Sequence, residues 1–217
     1  MSKEYKLHCF AQSGNSYKVA LMLACSGVDW EPVYVDFFGG QTRKADWRES
    51  TNEMGEVPVL EHAGNTLTQS GVILDYLADR LGTFGAQDES EKREILRWML
   101  YDNHKFTSYL ASYRYFRSFA TAAPHPEVQK FLRGRVEAAY AIVETHLAHN
   151  EYMVGERPTI ADFSLAGYAF YPAEETGFDL PATHPNIARW TERIANLPGW
   201  KDPYALMPGE RIAPRNI

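Results

Sequence analysis

Cysteine is scarce in this chain: two residues, Cys9 and Cys25, among 217. They form neither a CxxC pair nor a metal-ligand spacing, so the sequence offers no disulfide framework and no metal site. Two free thiols suit a reducing cytoplasm. Long apolar runs are missing too. None reaches the roughly 18 residues that span a bilayer, and the start Met-Ser-Lys-Glu-Tyr-Lys lacks the apolar core of a signal peptide. Basic residues are outnumbered, 22 Lys and Arg against 28 Asp and Glu, for a net charge of −6. That balance proposes no nucleic-acid surface. There is no internal repeat and no low-complexity segment. What the chain does have is 45% hydrophobic residues, enough to build a core in one large domain or two small ones.

Hydrophobic periodicity divides the chain in two. Tyr5, Leu7 and Cys9 alternate with polar neighbours, as in a half-buried strand. A polar loop, Ala11 to Asn15, precedes a helical pattern carried by Val19, Ala20, Leu23 and Ala24, and Gly27 is placed to end it. Trp30 to Phe38 is strand-like. A charged stretch over 39–52 predicts a loop with a short helix. Val57 to Glu61 and Asn65 to Leu67 predict a hairpin, and 69–81 a helix closed by Gly82. The order βαβ then αββα predicts a thioredoxin-like α/β domain over 1–82 with a mixed sheet of about four strands. Residues 83–90 read as a linker. From 91 to 217 no convincing strand occurs and the pattern is all-helical: a long helix over 91–120, further helices over 128–149, 159–170 and about 187–197, and a loosely held tail of about ten residues. Thr159-Ile-Ala-Asp162 reads as a capping box with Pro158 and Phe163 as its staple, so Asp162 is expected to fold the chain and not to catalyse.

The most informative segment runs from Glu53 to Gly71. Val57-Pro58 enters a short strand. A proline at a strand edge leaves the preceding backbone amide and carbonyl free for a ligand. Gln69-Ser70 then opens a helix, where a hydroxyl beside unpaired N–H groups suits a carboxylate. Together these suggest a site for the backbone and acid end of a small peptide.

In this order, Val57-Pro58, the hairpin and Gln69-Ser70 resemble the glutathione-binding half of cytosolic glutathione transferases. The helical half and its Asp-containing box extend the resemblance over nearly the whole chain. It implies that Val57-Pro58 is cis and that Val57 pairs its backbone with the cysteinyl part of glutathione. Gln69 and Ser70 would hold the γ-glutamyl end, and Gln41 and Lys44 lie where relatives reach the glycine carboxylate. The loop Gln12-Ser13-Gly14-Asn15-Ser16 resembles the catalytic loop of Ser- and Cys-type members. There Ser13 would donate its hydroxyl to the glutathione sulfur, with Asn15 as the rival donor. As bare sequence, Ser13 or Ser16 reads first as a helix cap, and it is the company of Pro58 and Gln69-Ser70 that favours Ser13 as the donor. Tyr-type members place their tyrosine where this chain has Phe10. No cysteine stands in the loop, and Cys9 reads as a small buried hydrophobe, so the protein's own thiol is not the expected nucleophile.

Asp102 falls on the stripe Ile95, Trp98, Met99, Asp102, Phe106, where an apolar residue is expected. A buried acid needs a partner. The resemblance offers the glutathione amine across a dimer, and the residues alone offer an intrachain ion pair. Tyr109, Tyr113 and Tyr115 either line an electrophile pocket between the domains or serve as core and interface. The family implies a homodimeric detoxification enzyme that adds glutathione thiolate to a hydrophobic electrophile, with no metal, membrane or nucleic acid involved. Two alternatives accompany it: a glutathione-dependent disulfide or peroxide reductase, and a non-catalytic binding or adaptor protein.

Overall fold

A computed structural model describes residues 3–216. The outer ends of the two expected domains, residues 1, 2 and 217, lie outside the described residues. The chain separates into two compact units. The first comprises Met1–Gly85 and Leu197–Arg211, the second Ala86–Asn196 and Ile212–Ile217.

The first unit is a four-stranded sheet with helices. The order along the chain is β1 (Tyr5–Cys9), α1 (Gly14–Cys25), β2 (Trp30–Tyr34), α2 (Ala45–Ser50), β3 (Val59–His62), β4 (Asn65–Thr68) and α3 (Ser70–Leu81). The spatial order is β2-β1-β3-β4. β1 pairs in parallel with β2, while β3 is antiparallel to both β1 and β4. This is the mixed thioredoxin-like sheet that the pattern predicts. Tyr5, Leu7 and Cys9 are buried and the residues between them only partly so. α1 and α3 pack against each other, contributing Val19, Leu23, Ile73, Leu74 and Leu77 to the core. A second small cluster, Val35, Trp47 and Val59, sits under α2. Pro32 is tolerated because β2 is an edge strand. Gly82 closes α3 at φ 63°, the left-handed cap that glycine adopts at little cost.

The second unit is helical: α4 (Glu89–Tyr101), α5 (Thr107–Arg114), α6 (Pro126–Leu147), α7 (Ile160–Ala166), α8 (Ala173–Thr176), α9 (Leu180–Thr183) and α10 (Pro185–Ala195). The expected long helix is α4 and α5 joined by a π-helical turn at Asp102–Phe106, and a second such turn, Tyr115–Phe119, follows α5. The box at α7 is present. Asp162 accepts from the backbone N–H of Thr159 at 2.8 Å, and its other oxygen accepts from Met153 N–H at 2.8 Å and Trp190 Nε1 at 2.9 Å. No helix among the described residues is long and apolar enough to cross a membrane.

The end of the chain differs from the expected loose tail. After α10 it joins the first unit, where α11 (Pro203–Leu206) packs on α1. Tyr17 donates its hydroxyl to Lys201 O at 2.8 Å, and Ala11 N–H donates to Pro208 O at 2.8 Å. The last residues return to the helical unit. Asn216 donates its side-chain amide to Phe116 O and Ala120 O, each at 3.0 Å, covering carbonyls that a helix end leaves open. Polar residues concealed this, because their partners are backbone groups far away in sequence.

Candidate functional site

The sheet register gathers the candidate residues of the first unit at one end. His8 lies opposite Val59 on β3, and Val59 lies opposite Thr68 on β4. The loop after β1, the Val57-Pro58 step before β3 and the Gln69-Ser70 step after β4 therefore all leave the sheet at the same end of its strands. Because β2 is parallel to β1, with Cys9 opposite Tyr34, the segment that carries Gln41 and Lys44 starts there too.

Ser13 is the N-cap of α1, with Oγ accepting from Ser16 N–H at 3.1 Å. It is only 7% exposed. Capping uses a lone pair of the hydroxyl and leaves its proton available to donate. No acidic residue stands in the first turn of α1, so the positive end of that helix is not neutralised by its own chain. The cap and the donor readings thus describe one arrangement. Asn15, in the same turn, is half-buried, and its side-chain amide makes no hydrogen bond among the described residues.

Val57-Pro58 is a cis peptide. The loop before it is held by Asn52, buried at 5% exposure, which donates Nδ2 to Glu56 O at 2.9 Å and accepts from Met54 N–H at 3.0 Å. Gly55 in this loop has φ 69°, and a Cβ there would stand 2.8 Å from Thr42 O. Sequence reasoning passed over Asn52, whose signal was the short polar run Asn-Glu-Met-Gly.

Gln69 occupies the cap position of α3 at φ 66°, an uncommon conformation for a long side chain. Its Nε2 donates to Glu56 Oε2 at 3.1 Å and so ties the two loops together. With Gln69 at the cap position, Ser70 is the first helical residue. It is 7% exposed, and its hydroxyl makes no hydrogen bond among the described residues. Glu56 is a residue of this region that the sequence did not single out. Gln41 is half-occupied, since its Oε1 accepts from Asp36 N–H at 2.8 Å. Lys44 is exposed and has no ion-pair partner among the described residues.

The helical-unit candidates are placed differently. Asp102 is fully buried. Its oxygens accept from Thr107 Oγ1 and Ser164 Oγ, each at 2.6 Å, so it ties the π-helical turn to α5 and α7. Two hydroxyl donors thus meet the need of this buried acid for a partner. Tyr113 is buried against Phe178, with ring centroids 5.9 Å apart, and accepts from Arg133 at 3.5 Å. Tyr109 faces the Arg135 guanidinium at 5.8 Å, and Tyr115 is 44% exposed beside Phe116. Tyr113 is thus packed among the helical unit's own side chains.

Burial disfavours the thiolate form of both cysteines. Burial pushes the Cys9 thiol up to about 12 and the Cys25 thiol up to about 11.

Residues 4–79 match the family model of the glutathione S-transferase N-terminal domain, and residues 104–198 match that of the C-terminal domain. The chain belongs to the glutathione S-transferase family. Among glutathione S-transferases of known structure, a possible member from Rhodopseudomonas palustris is 32% identical, with a TM-score of 0.83 over 92% of this chain and 98% of that one. Among characterised relatives, glutathione S-transferase F14 of Arabidopsis thaliana is 29% identical over 205 residues, 90% of this chain and 80% of its own. The disulfide-bond oxidoreductase YfcG of Escherichia coli K12 is 28% identical over 199 residues, 87% of this chain and 89% of its own.

Proposed function

We propose that this glutathione S-transferase family member binds glutathione at this end of the sheet in its first unit and adds the thiolate to a hydrophobic electrophile. The observation that carries the reading is Ser13: a buried cap whose oxygen is fixed by Ser16 N–H and whose proton remains to donate. A thiol near its reference pKa of about 8.5 is mostly protonated at neutral pH. The Ser13 hydroxyl and the α1 terminus both favour the thiolate, and each unit of lowering requires about 1.4 kcal/mol. Ser70, whose hydroxyl in the first turn of α3 is unengaged among the described residues, would donate to the γ-glutamyl carboxylate with Gln69 beside it. Val57 would pair with the cysteinyl backbone, and Lys44 and Gln41 would reach the glycine carboxylate. Tyr109 and Tyr115 remain candidates for the electrophile side. We further infer a cytoplasmic homodimer with a detoxifying role. Leu96 and Leu100, one turn apart on α4 and 54% and 59% exposed, give an apolar stripe suited to a second copy.

A second reading is favoured by one observation. The unengaged amide of Asn15 stands in the same turn as Ser13, and a relative of similar identity is named a disulfide-bond oxidoreductase. If Asn15 carries the thiolate, glutathione-dependent disulfide reduction becomes the leading activity. Titrating the thiolate absorbance of bound glutathione against pH separates the two. Ser13→Ala is expected to raise the pKa of bound glutathione by about one unit or more and to lower turnover, while binding persists. A titration unmoved by Ser13→Ala but shifted by Asn15→Ala would transfer the role to Asn15. Unmeasurable glutathione binding by the wild type would leave only the adaptor reading.

A further inference from the structure

The helical unit holds a cavity of about 240 Å³ whose wall comes entirely from residues between Tyr140 and Glu192. Nothing in the glutathione chemistry uses it. Four aromatic side chains line it: Tyr140 from α6, Tyr168 and Tyr171 from the turn after α7, and Phe178 from the turn before α9. Two carboxylates, Asp179 and Glu192, complete the lining, and none of the lining residues is Lys, Arg or His.

Tyr140 is only 1% exposed, yet its hydroxyl has no hydrogen-bond partner among the described residues. Tyr140 lines the cavity, where a ligand could meet that hydroxyl. Burial pushes this phenol well above its ordinary value, so it stays neutral and can accept a proton donor. Guanidinium cations already lie against three of these aromatic rings. The Arg114 guanidinium lies 3.6 Å from the ring centre of Tyr171 and 5.8 Å from that of Tyr168, and Arg133 lies 4.9 Å from that of Phe178. Both cations are neutralised in place, Arg114 by Glu175 at 2.5 Å and Arg133 by Glu137 at 2.8 Å. They therefore leave the local balance to Asp179 and Glu192, which is negative.

We propose that this cavity binds a small organic ammonium ion, an arylalkylammonium of about ten heavy atoms. The volume is below the roughly 300 Å³ at which drug-sized pockets begin, which limits the ligand to that size. The rings would take the aromatic body and one face of the cation. The Tyr140 hydroxyl and the two carboxylates would meet the ammonium N–H groups.

The test uses the full-length protein, labelled with ¹⁵N and titrated with phenethylammonium, phenethyl alcohol and 3-phenylpropionate. The ammonium ion is expected to bind at least tenfold more tightly than the alcohol, with the propionate weakest. Its shifts should centre on Ala169, Gly177 and Leu180. Asp179 caps α9 through Oδ1, which accepts from Ala182 N–H at 3.2 Å, and asparagine preserves that cap. Asp179→Asn combined with Glu192→Gln should therefore cut the ammonium affinity at least fivefold and leave that of the alcohol unchanged. Equal affinities for the three probes, shifts centred elsewhere, or an undiminished ammonium preference in the double variant would each overturn the proposal. Should the double variant not fold, the probe preference and the location of the shifts in the wild type decide alone.

Discussion

At the scale of single residues, the proposed site rests on hydroxyls whose proposed role is hidden by their structural one. Ser13 caps a helix and still has a proton to give. Ser70 looks like a cap in sequence, but the cap position belongs to Gln69, and the Ser70 hydroxyl makes no hydrogen bond among the described residues. Ser70→Ala is therefore expected to weaken glutathione binding by roughly 1.5–3 kcal/mol, the worth of a hydrogen bond to a charged group. Its melting temperature should stay close to that of the wild type. Calorimetric titration beside a thermal melt measures both, and an unchanged dissociation constant with a lowered melting point would make Ser70 structural. The cysteines give a complementary expectation. With folded-state values near 12 and 11, both thiols remain protonated as pH rises through 8, where an unfolded cysteine is already partly ionised. Iodoacetamide at pH 8 should therefore leave Cys9 and Cys25 unmodified in the native protein and alkylate both in denaturant. Rapid native alkylation of Cys9 would contradict its burial. The residue types and spacing of Ser13, Val57-Pro58 and Gln69-Ser70 were legible in the sequence. The Glu56–Gln69 link and the Asn52 knot were not, because side-chain bonds across a loop leave no periodic trace.

At the scale of elements, periodicity located nearly every long helix and strand, and it failed where an element is short or its pattern is broken by a polar residue with a remote partner. α8, α9 and α11 are one turn each, too short to show a period. Asp102 broke the stripe of α4 because its partners, Thr107 and Ser164, lie in the turn ahead and on another helix. The capping box at α7 was legible because both its partners are local. Its wider reach was not: Asp162 also holds Trp190 on α10 and the backbone of Met153, 28 and 9 residues away in sequence. Asp162→Ala would leave the Trp190 indole N–H, Met153 N–H and Thr159 N–H buried without acceptors. Each orphaned donor costs about 1–3 kcal/mol, so the variant is expected to lose roughly 3 kcal/mol or more of stability in equilibrium urea unfolding. A loss below about 1 kcal/mol would mean that Asp162 serves only as a cap.

At the scale of the whole molecule, the path of the chain matters more than the boundary between its halves. The composition shift near residue 83 marks where the strands end, and the pattern after it implies one helical domain to residue 217. The compact units instead exchange chain: Leu197–Arg211 belongs with the sheet, and the segment after it returns to the helices. No local signal could reveal this, since α11 is one turn long and its contacts are with α1, some 180 residues earlier. The approach is close. Gly199 has φ 82°, and a Cβ there would stand 2.2 Å from Ala24 O at the end of α1, so glycine is required by contact as well as by conformation. The segment also reaches the loop that carries Ser13, because Pro208 O accepts from Ala11 N–H and Glu210 O accepts from the Gln12 side chain. Met207, 4% exposed, adds its own burial. A chain ending at Asn196 keeps every strand but loses these acceptors and that buried side chain. One or two hydrogen bonds at about 1 kcal/mol each and about 1.5–3 kcal/mol for Met207 predict a first unit weaker by several kcal/mol. Native-state hydrogen exchange followed residue by residue reads this directly. The Ala11 amide should lose its protection in the truncated chain, and Gly199→Ala should lower it in part. Full protection of Ala11 in the truncated chain would show that the β1–α1 loop holds its shape unaided, and that residues 197–211 only rest against it.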